Sequence, residues 1–248
     1  MGNRSALRSC LTQNVRGNTL QRYVDYAVNL GGVVGCWPLN EASGGRRDFA
    51  GDSPLTDNNT VTGGNGPAGG LPLASQFTAG SLEYLSRSDN PSLSVGAGVS
   101  MTVCVLVYFD SLGGLFHGIV KKGDDAVGTT KEYGIQTNVV DDVLKFDPYN
   151  NYNVADGTPT TATWYFIIAW LDAVAVTHNI QVNNGAITTV AGEAIPDLGG
   201  TFTIGATILS GLPNRYLDGR AAGALLVKRV LQRFEAQRLY ELGMGRIP

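Results

Sequence analysis

The chain has 248 residues, 43% hydrophobic and only 16% charged, with 33 glycines and 10 prolines. This density of turn residues excludes a helical bundle and favours β-structure with frequent turns, and the length suits a single large sandwich. A net charge of −3 supplies no basic field for nucleic acid, and no apolar run is long enough to span a bilayer, so neither nucleic acid nor a membrane is an expected partner.

Residues 2–17 carry Arg4, Arg8 and Arg16 without an apolar period, which reads as an arm rather than part of a core. They contain no apolar h-region, so a secretory signal is not expected and the protein is expected in the cytosol where it is made. From there Leu20, Tyr23, Val24 and Ala27 fall at helical spacing. Asn18 is placed to cap the start and Gly31-Gly32 to end it, predicting a helix over 19–30 that carries Arg22. VVGCWPL (33–39) reads as a first strand stopped by Pro38. Residues 43–72, including GGNGPAGG, lack the Gly-Lys-Ser/Thr of a phosphate-binding loop and are expected to form a plain surface loop.

Short strand candidates follow: SQF, LEYLS, SMTVCVLVYF, LFHGIVKK, YGIQT, VLKF, WYFIIAWL, HNIQVN, AITTV, TFTIG and RAAGALLV. Regular short strands of this kind indicate a sandwich or jelly roll. WYFIIAWL is apolar on both parities, so it should be central and covered on both faces. Trp164 and Trp170 share a parity and are expected inside the sandwich. Asn184-Gly185 before AITTV predicts a hairpin centred on those two residues. The three cysteines, Cys10, Cys36 and Cys104, fit neither a disulfide framework nor zinc-ligand spacing and read as buried thiols.

In order, the pieces VVGCWPLNEASG, SLEYLSRSDNPSLSVG, GIVKKGD, WYFIIAWLD, IQVNNG, FTIGA and YLDGR with a closing strand and a helix through LYEL resemble the laminin-G-like, concanavalin A-like jelly-roll family over 33–242. The resemblance implies an all-β, two-sheet jelly-roll sandwich with a short N-terminal helix and arm and a C-terminal helix. It divides the chain into an attachment arm and helix (1–32), the sandwich (33–243) and a tail (244–248). Modules of this family occur in lectins and adhesins, in sialidase and glucanase accessory domains, and in structural proteins of tailed bacteriophages; the helix feeding directly into a WPLNEASG strand looks most like the phage versions. Two departures stand out. The closing strand GRAAGALLV has Ala222 and Gly223 where relatives carry an acid, which disfavours calcium, so no cofactor is expected. Gln232 replaces the usual Ser cap of the last helix while Glu235 remains, leaving half a capping box.

For chemistry, glucanases of this fold use a Glu-x-Asp-x-Glu alternation, which is absent. Asp124-Asp125 and Asp141-Asp142 are adjacent pairs expected to be solvated loop residues, and His117 and His178, the only histidines, are expected in structural or surface roles. Asp48 suits an Asx turn. The best ligand-like stretch is DPYNNYN, where Tyr149 and Tyr152 offer flat apolar faces to sugar rings and Asn151 an amide. The expectation is therefore a non-enzymatic virion structural or decoration protein. Arg4, Arg8, Arg16 and Arg22 attach it to a capsid or tail protein and to sister subunits, and glycans bind on its loops. The alternative is a carbohydrate-binding lectin module of a cellular protein.

Overall fold

A strand that is apolar on both parities needs cover on both faces, and the layering of this chain supplies it. The computed structural model describes residues 19–113, 116–126, 130–138, 140–149 and 154–246. A helix α1 (19–28) precedes β1 (Val33–Trp37), β2 (Thr56–Asn58), β3 (Thr62–Asn65), β4 (Leu73–Phe77), β5 (Tyr84–Arg87) and β6 (Met101–Phe109). Then come β7 (Gly118–Lys122), β8 (Tyr133–Thr137), β9 (Leu144–Phe146), β10 (Val154–Ala155), β11 (Trp164–Asp172) and β12 (Thr177–Val182). The chain continues through β13 (Ile187–Ala191), β14 (Phe202–Ile204), β15 (Thr207–Leu209), β16 (Leu212–Asn214), β17 (Gly219–Val227) and α2 (Arg233–Met244).

An eight-stranded sheet runs β13-β12-β11-β6-β17-β4-β3, with β1 also on β17, and a seven-stranded sheet runs β10-β9-β8-β7-β14-β5-β2. This is the expected two-sheet jelly-roll sandwich. Trp37, Phe77, Val103, Val105, Phe146, Ile167, Leu171 and Phe202 fill the space between the sheets. The opposite parity of the same strands, Cys104, Leu106, Phe166, Ile168, Ala222 and Leu225, forms a second core under the two helices. Trp164 and Trp170 belong to this outer layer and are half-buried, which corrects the expectation that they lie inside the sandwich. The parity reading was right, but the inner face took Tyr165, Ile167, Ala169 and Leu171.

The closing strand carries a device that its sequence discloses poorly. β17 pairs with β6 along one edge, while its other edge is shared by β4 (Gly219↔Phe77 to Ala221↔Ser75) and β1 (Ala224↔Trp37 to Val227↔Val33). The handover occurs at a bulge between Ala222 and Leu225, where Gly223 sits at φ 58°. Its N–H donates to Pro38 O (3.0 Å), and its carbonyl accepts the Tyr23 hydroxyl (2.6 Å) from α1. A Cβ here would stand 2.8–2.9 Å from Leu71, Leu106 and the Tyr23 oxygen. What reads as a missing acid is a glycine required by a left-handed bulge in a packed site.

Tyr23 and Ala27 are fully buried, so residues 19–28 pack into the domain's outer layer. Arg22 is exposed on α1, while Arg4, Arg8 and Arg16 lie outside the described residues. At the other end the Glu235 carboxylate accepts the Gln232 N–H (2.8 Å), and it also takes a two-pronged contact from Arg229 (2.6 and 2.8 Å) that braces the first turn of α2.

Other expectations change. The 43–72 stretch is a loop only in part, since it contributes the edge strands β2 and β3. It is stapled by a buried Arg46 whose guanidinium donates to Ser75 Oγ (2.7 Å) and Val61 O (3.1 Å). Asp48 makes its Asx turn with Ala50 N (2.9 Å) and also accepts Cys36 N (2.9 Å). The β12–β13 turn sits one residue early: Asn183 and Asn184 have φ 52° and 56°, and Gly185 N–H donates to Val182 O (2.9 Å). Cys36 and Cys104 are free and buried, as expected; burial, with Asp48 adding to it, pushes the Cys36 thiol up to about 12.

Replacing Gly223 by Ala is expected to destabilise the fold by about 2–4 kcal/mol, combining a left-handed backbone with overpacking. Tyr23→Phe, which leaves the Gly223 carbonyl without its buried donor, should cost about 1–2 kcal/mol. Denaturant midpoints of the two variants check both values, and a Gly223→Ala variant as stable as the parent contradicts the bulge.

Candidate functional site

The face of the seven-stranded sheet turned away from the core carries a polar row set by strand register. Asp147 N–H donates to Gly134 O (2.7 Å); Gly134 pairs with Lys121, Lys121 with Thr203, Thr203 with Ser86 and Ser86 with Thr56. Gly134 matters because a Cβ there would fall 2.3 Å from the Lys121 side chain, so only glycine lets the lysine cross the sheet.

Lys121 is fully buried between Asp147 (2.8 Å) and Asp125. Asp147 also accepts Lys131 Nζ (2.5 Å) and Gln136 Nε2 (3.1 Å), and Asp125 accepts Arg215 Nη1 (2.8 Å), whose guanidinium lies 4.1 Å from the Phe116 ring. Burial pulls the Lys121 ammonium down, but Asp147 and Asp125 outweigh it and hold it above its ordinary value. Burial likewise pushes the Asp147 carboxyl up, and Lys121 and Lys131 overcome this, leaving it below the usual range. A buried pair survives only when such partners replace lost hydration. Lys122 is buried beside it, held by Asp89 (2.6 Å), Glu132 (3.2 Å) and Gly200 O (2.6 Å). Burial raises the Glu132 carboxyl against the pull of Lys122.

These ions root the loops at this end. Asp147 is the first residue of DPYNNYN, and two residues on Tyr149 N–H donates to Glu132 O (2.8 Å) while its half-buried ring packs on the inter-sheet core. Asn151 and Tyr152 lie outside the described residues. Asp124 and Asp125 are not solvated as expected. Asp124 accepts Ser210 N (2.9 Å) and Gly211 N (2.6 Å) at the β15–β16 turn, and Asp125 belongs to the ion cluster. His117 and His178 are buried structural residues on Tyr216 O and Glu193 O (3.1 Å each). The sequence reading also missed Tyr84 and Tyr216, half-buried rings in edge contact at 6.1 Å; Tyr84 shares its face of the sheet with Ser86. Strand parity places Tyr84, but nothing local announces that Tyr216, far along the chain, will meet it.

Among the described residues no group of three or more His, Cys, Asp or Glu stands where it could hold a metal ion, and no helix is long and apolar enough to cross a membrane.

No protein-family model matches the chain, and no curated protein matches it. Solved structures share its fold. A Trypanosoma rangeli sialidase in complex with sialic acid aligns over 95% of this chain and 39% of its own, with a TM-score of 0.63 at 14% identity. The binding domain of a paraclostridial mosquitocidal protein aligns over 85% of this chain and 52% of its own (TM-score 0.63, 13% identity). Domain 4 of an extracellular arabinanase from Geobacillus stearothermophilus, in complex with arabinotriose, aligns over 84% of this chain and 98% of its own (TM-score 0.58, 12% identity). The chain thus spans about two fifths of the sialidases. The expectation of a non-enzymatic chain is corrected by this finding. Sialidases contain this fold, so the missing Glu-x-Asp-x-Glu alternation excludes one hydrolytic route and not catalysis as such.

Asp147→Asn should leave Lys121 and Lys131 short of a counter-charge and cost about 3–5 kcal/mol at neutral pH. Because the folded carboxyl lies below its unfolded value, its contribution is present above the unfolded value and lost as pH falls through the folded one. Denaturation of parent and variant should therefore converge in acid, below the ordinary carboxylate range.

Proposed function

We propose that the chain is a glycan-binding β-sandwich module whose loop edge at 147–153 contacts the sugar. The observation that carries this reading is the clamped root of that edge. Asp147 receives Lys121, Lys131 and Gln136, and Tyr149 is tied to Glu132, so the segment bearing Asn151 and Tyr152 springs from a rigid base. Binding loops on rigid scaffolds lose less ordering entropy on contact. The fold shared with an arabinanase domain in complex with arabinotriose and with a toxin's binding domain supports the same class. A glycan array followed by calorimetry tests it. The parent should retain one or more oligosaccharides, and Tyr152→Ala should weaken them at least about tenfold, in keeping with the loss of one aromatic platform. Binding unaffected by Tyr152→Ala would move the site elsewhere.

The finer reading is that the module is displayed on a virion, attached to a capsid or tail protein or to sister subunits by the segment carrying Arg4, Arg8 and Arg16. Its support is the resemblance to phage structural proteins and the direct passage of α1 into β1 through Gly31-Gly32. Deleting residues 2–18 should abolish attachment to a particle while leaving glycan binding intact. A module of a cellular protein would lose neither.

A further inference from the structure

A cleft of about 90 Å³ opens on the opposite layer, where α2 lies beside strands β11 to β13; Ile168, Trp170, Gln181, Ile187, Arg233 and Ala236 line it. Register builds one wall, because Ile168 pairs with Gln181 and Gln181 with Ile187, so the three form a cross-strand row on one face. Trp170 stands next to this row, half-buried. Ile187 is 52% exposed, apolar surface left in contact with water.

The rim carries a cation in an unusual place. Arg233 is the first residue of α2, and its exposed side chain makes no ion pair or hydrogen bond with any described residue. The positive end of a helix favours an anion, and the acid of that first turn, Glu235, is already engaged by Arg229. An unpaired arginine at this pole gains from an anionic ligand both a charge-assisted contact and relief from the dipole. The cleft is smaller than the ~150 Å³ cavity that admits one benzene ring, so it accepts a substituent of a few heavy atoms and not a whole sugar ring.

We propose that this cleft binds an acidic, N-acylated sugar. The acyl methyl enters between Ile168, Ile187 and Ala236, the ring lies against Trp170, and the carboxylate pairs with Arg233. Gln181 donates to Gly185 O (2.7 Å) through Nε2, which leaves its Oε1 to accept the acylamino N–H. The proposal rests on the broad reading of the chain as a glycan-binding module but not on the segment that begins at Asp147, a residue that follows β9 of the other sheet.

The test titrates the full chain with the methyl α-glycoside of N-acetylneuraminic acid, followed by tryptophan fluorescence and saturation-transfer NMR. N-acetylglucosamine serves as the neutral acylated control. Binding in about the millimolar range is expected, at least about tenfold weaker for the neutral sugar and for Arg233→Gln. Arg233 is exposed, so its variant should melt with the parent. No sialoside binding by the parent, equal binding of the neutral sugar, or an Arg233→Gln variant that binds like the parent would overturn the proposal. A chain that takes the sialoside but no neutral glycan supports this cleft and removes the loop edge instead.

Discussion

The arrangement depends on one left-handed residue. Gly223 interrupts β17 so that a single strand edge serves β4 on one side of the break and β1 on the other, while the Tyr23 hydroxyl closes over its carbonyl across 200 residues of sequence. Without the bulge, a straight β17 would hold its apolar alternation but could not serve both neighbours or receive α1. Loop closure over such distances is entropically costly, and it is repaid only when many contacts form together. The first strand, the last strand and the helix before them therefore belong to one cooperative unit.

From that unit the two layers take opposite characters. The eight-stranded sheet is apolar on both faces and uses its outer one to seat α1 and α2. The seven-stranded sheet is apolar only inward; its other face carries Lys121, Gln136, Thr203 and Asp147, buried beneath loops and neutralised by one another. Burying that many ionic groups contributes less to net stability than hydrophobic replacements would, and what it secures is geometry. Each charge accepts only one constellation of partners, so the loops that supply Asp125, Lys131 and Asp147 are held in one arrangement.

Much of the sandwich was legible. β11 announced itself as apolar on both parities, and such a strand is central wherever helices cover a sheet. Legibility failed where pairing and not composition decides. TDN and TGGN have little strand preference and become β2 and β3 only because β5 and β4 offer edges. The two parities of β11 are equally apolar, so the sequence could not say which of them faces the other sheet, and Trp164 and Trp170 went outward. Around the candidate site, DPYNNYN was visible as a Tyr/Asn cluster. The role of Asp147 was not, because Lys121, Lys131 and Gln136 reach it from other strands and loops. Lys121 and Lys122 end an apolar strand and look like a solvated tip, yet both are buried.

The two helices share the outer face of the eight-stranded sheet, and the loops rooted by Asp147 belong to the other sheet. The molecule thus has a back and a front. A tether joined ahead of α1 or after α2 leaves from the back, so a surface studded with such domains would turn the Asp147 side outward whichever tether it used, and neither linkage would shade it.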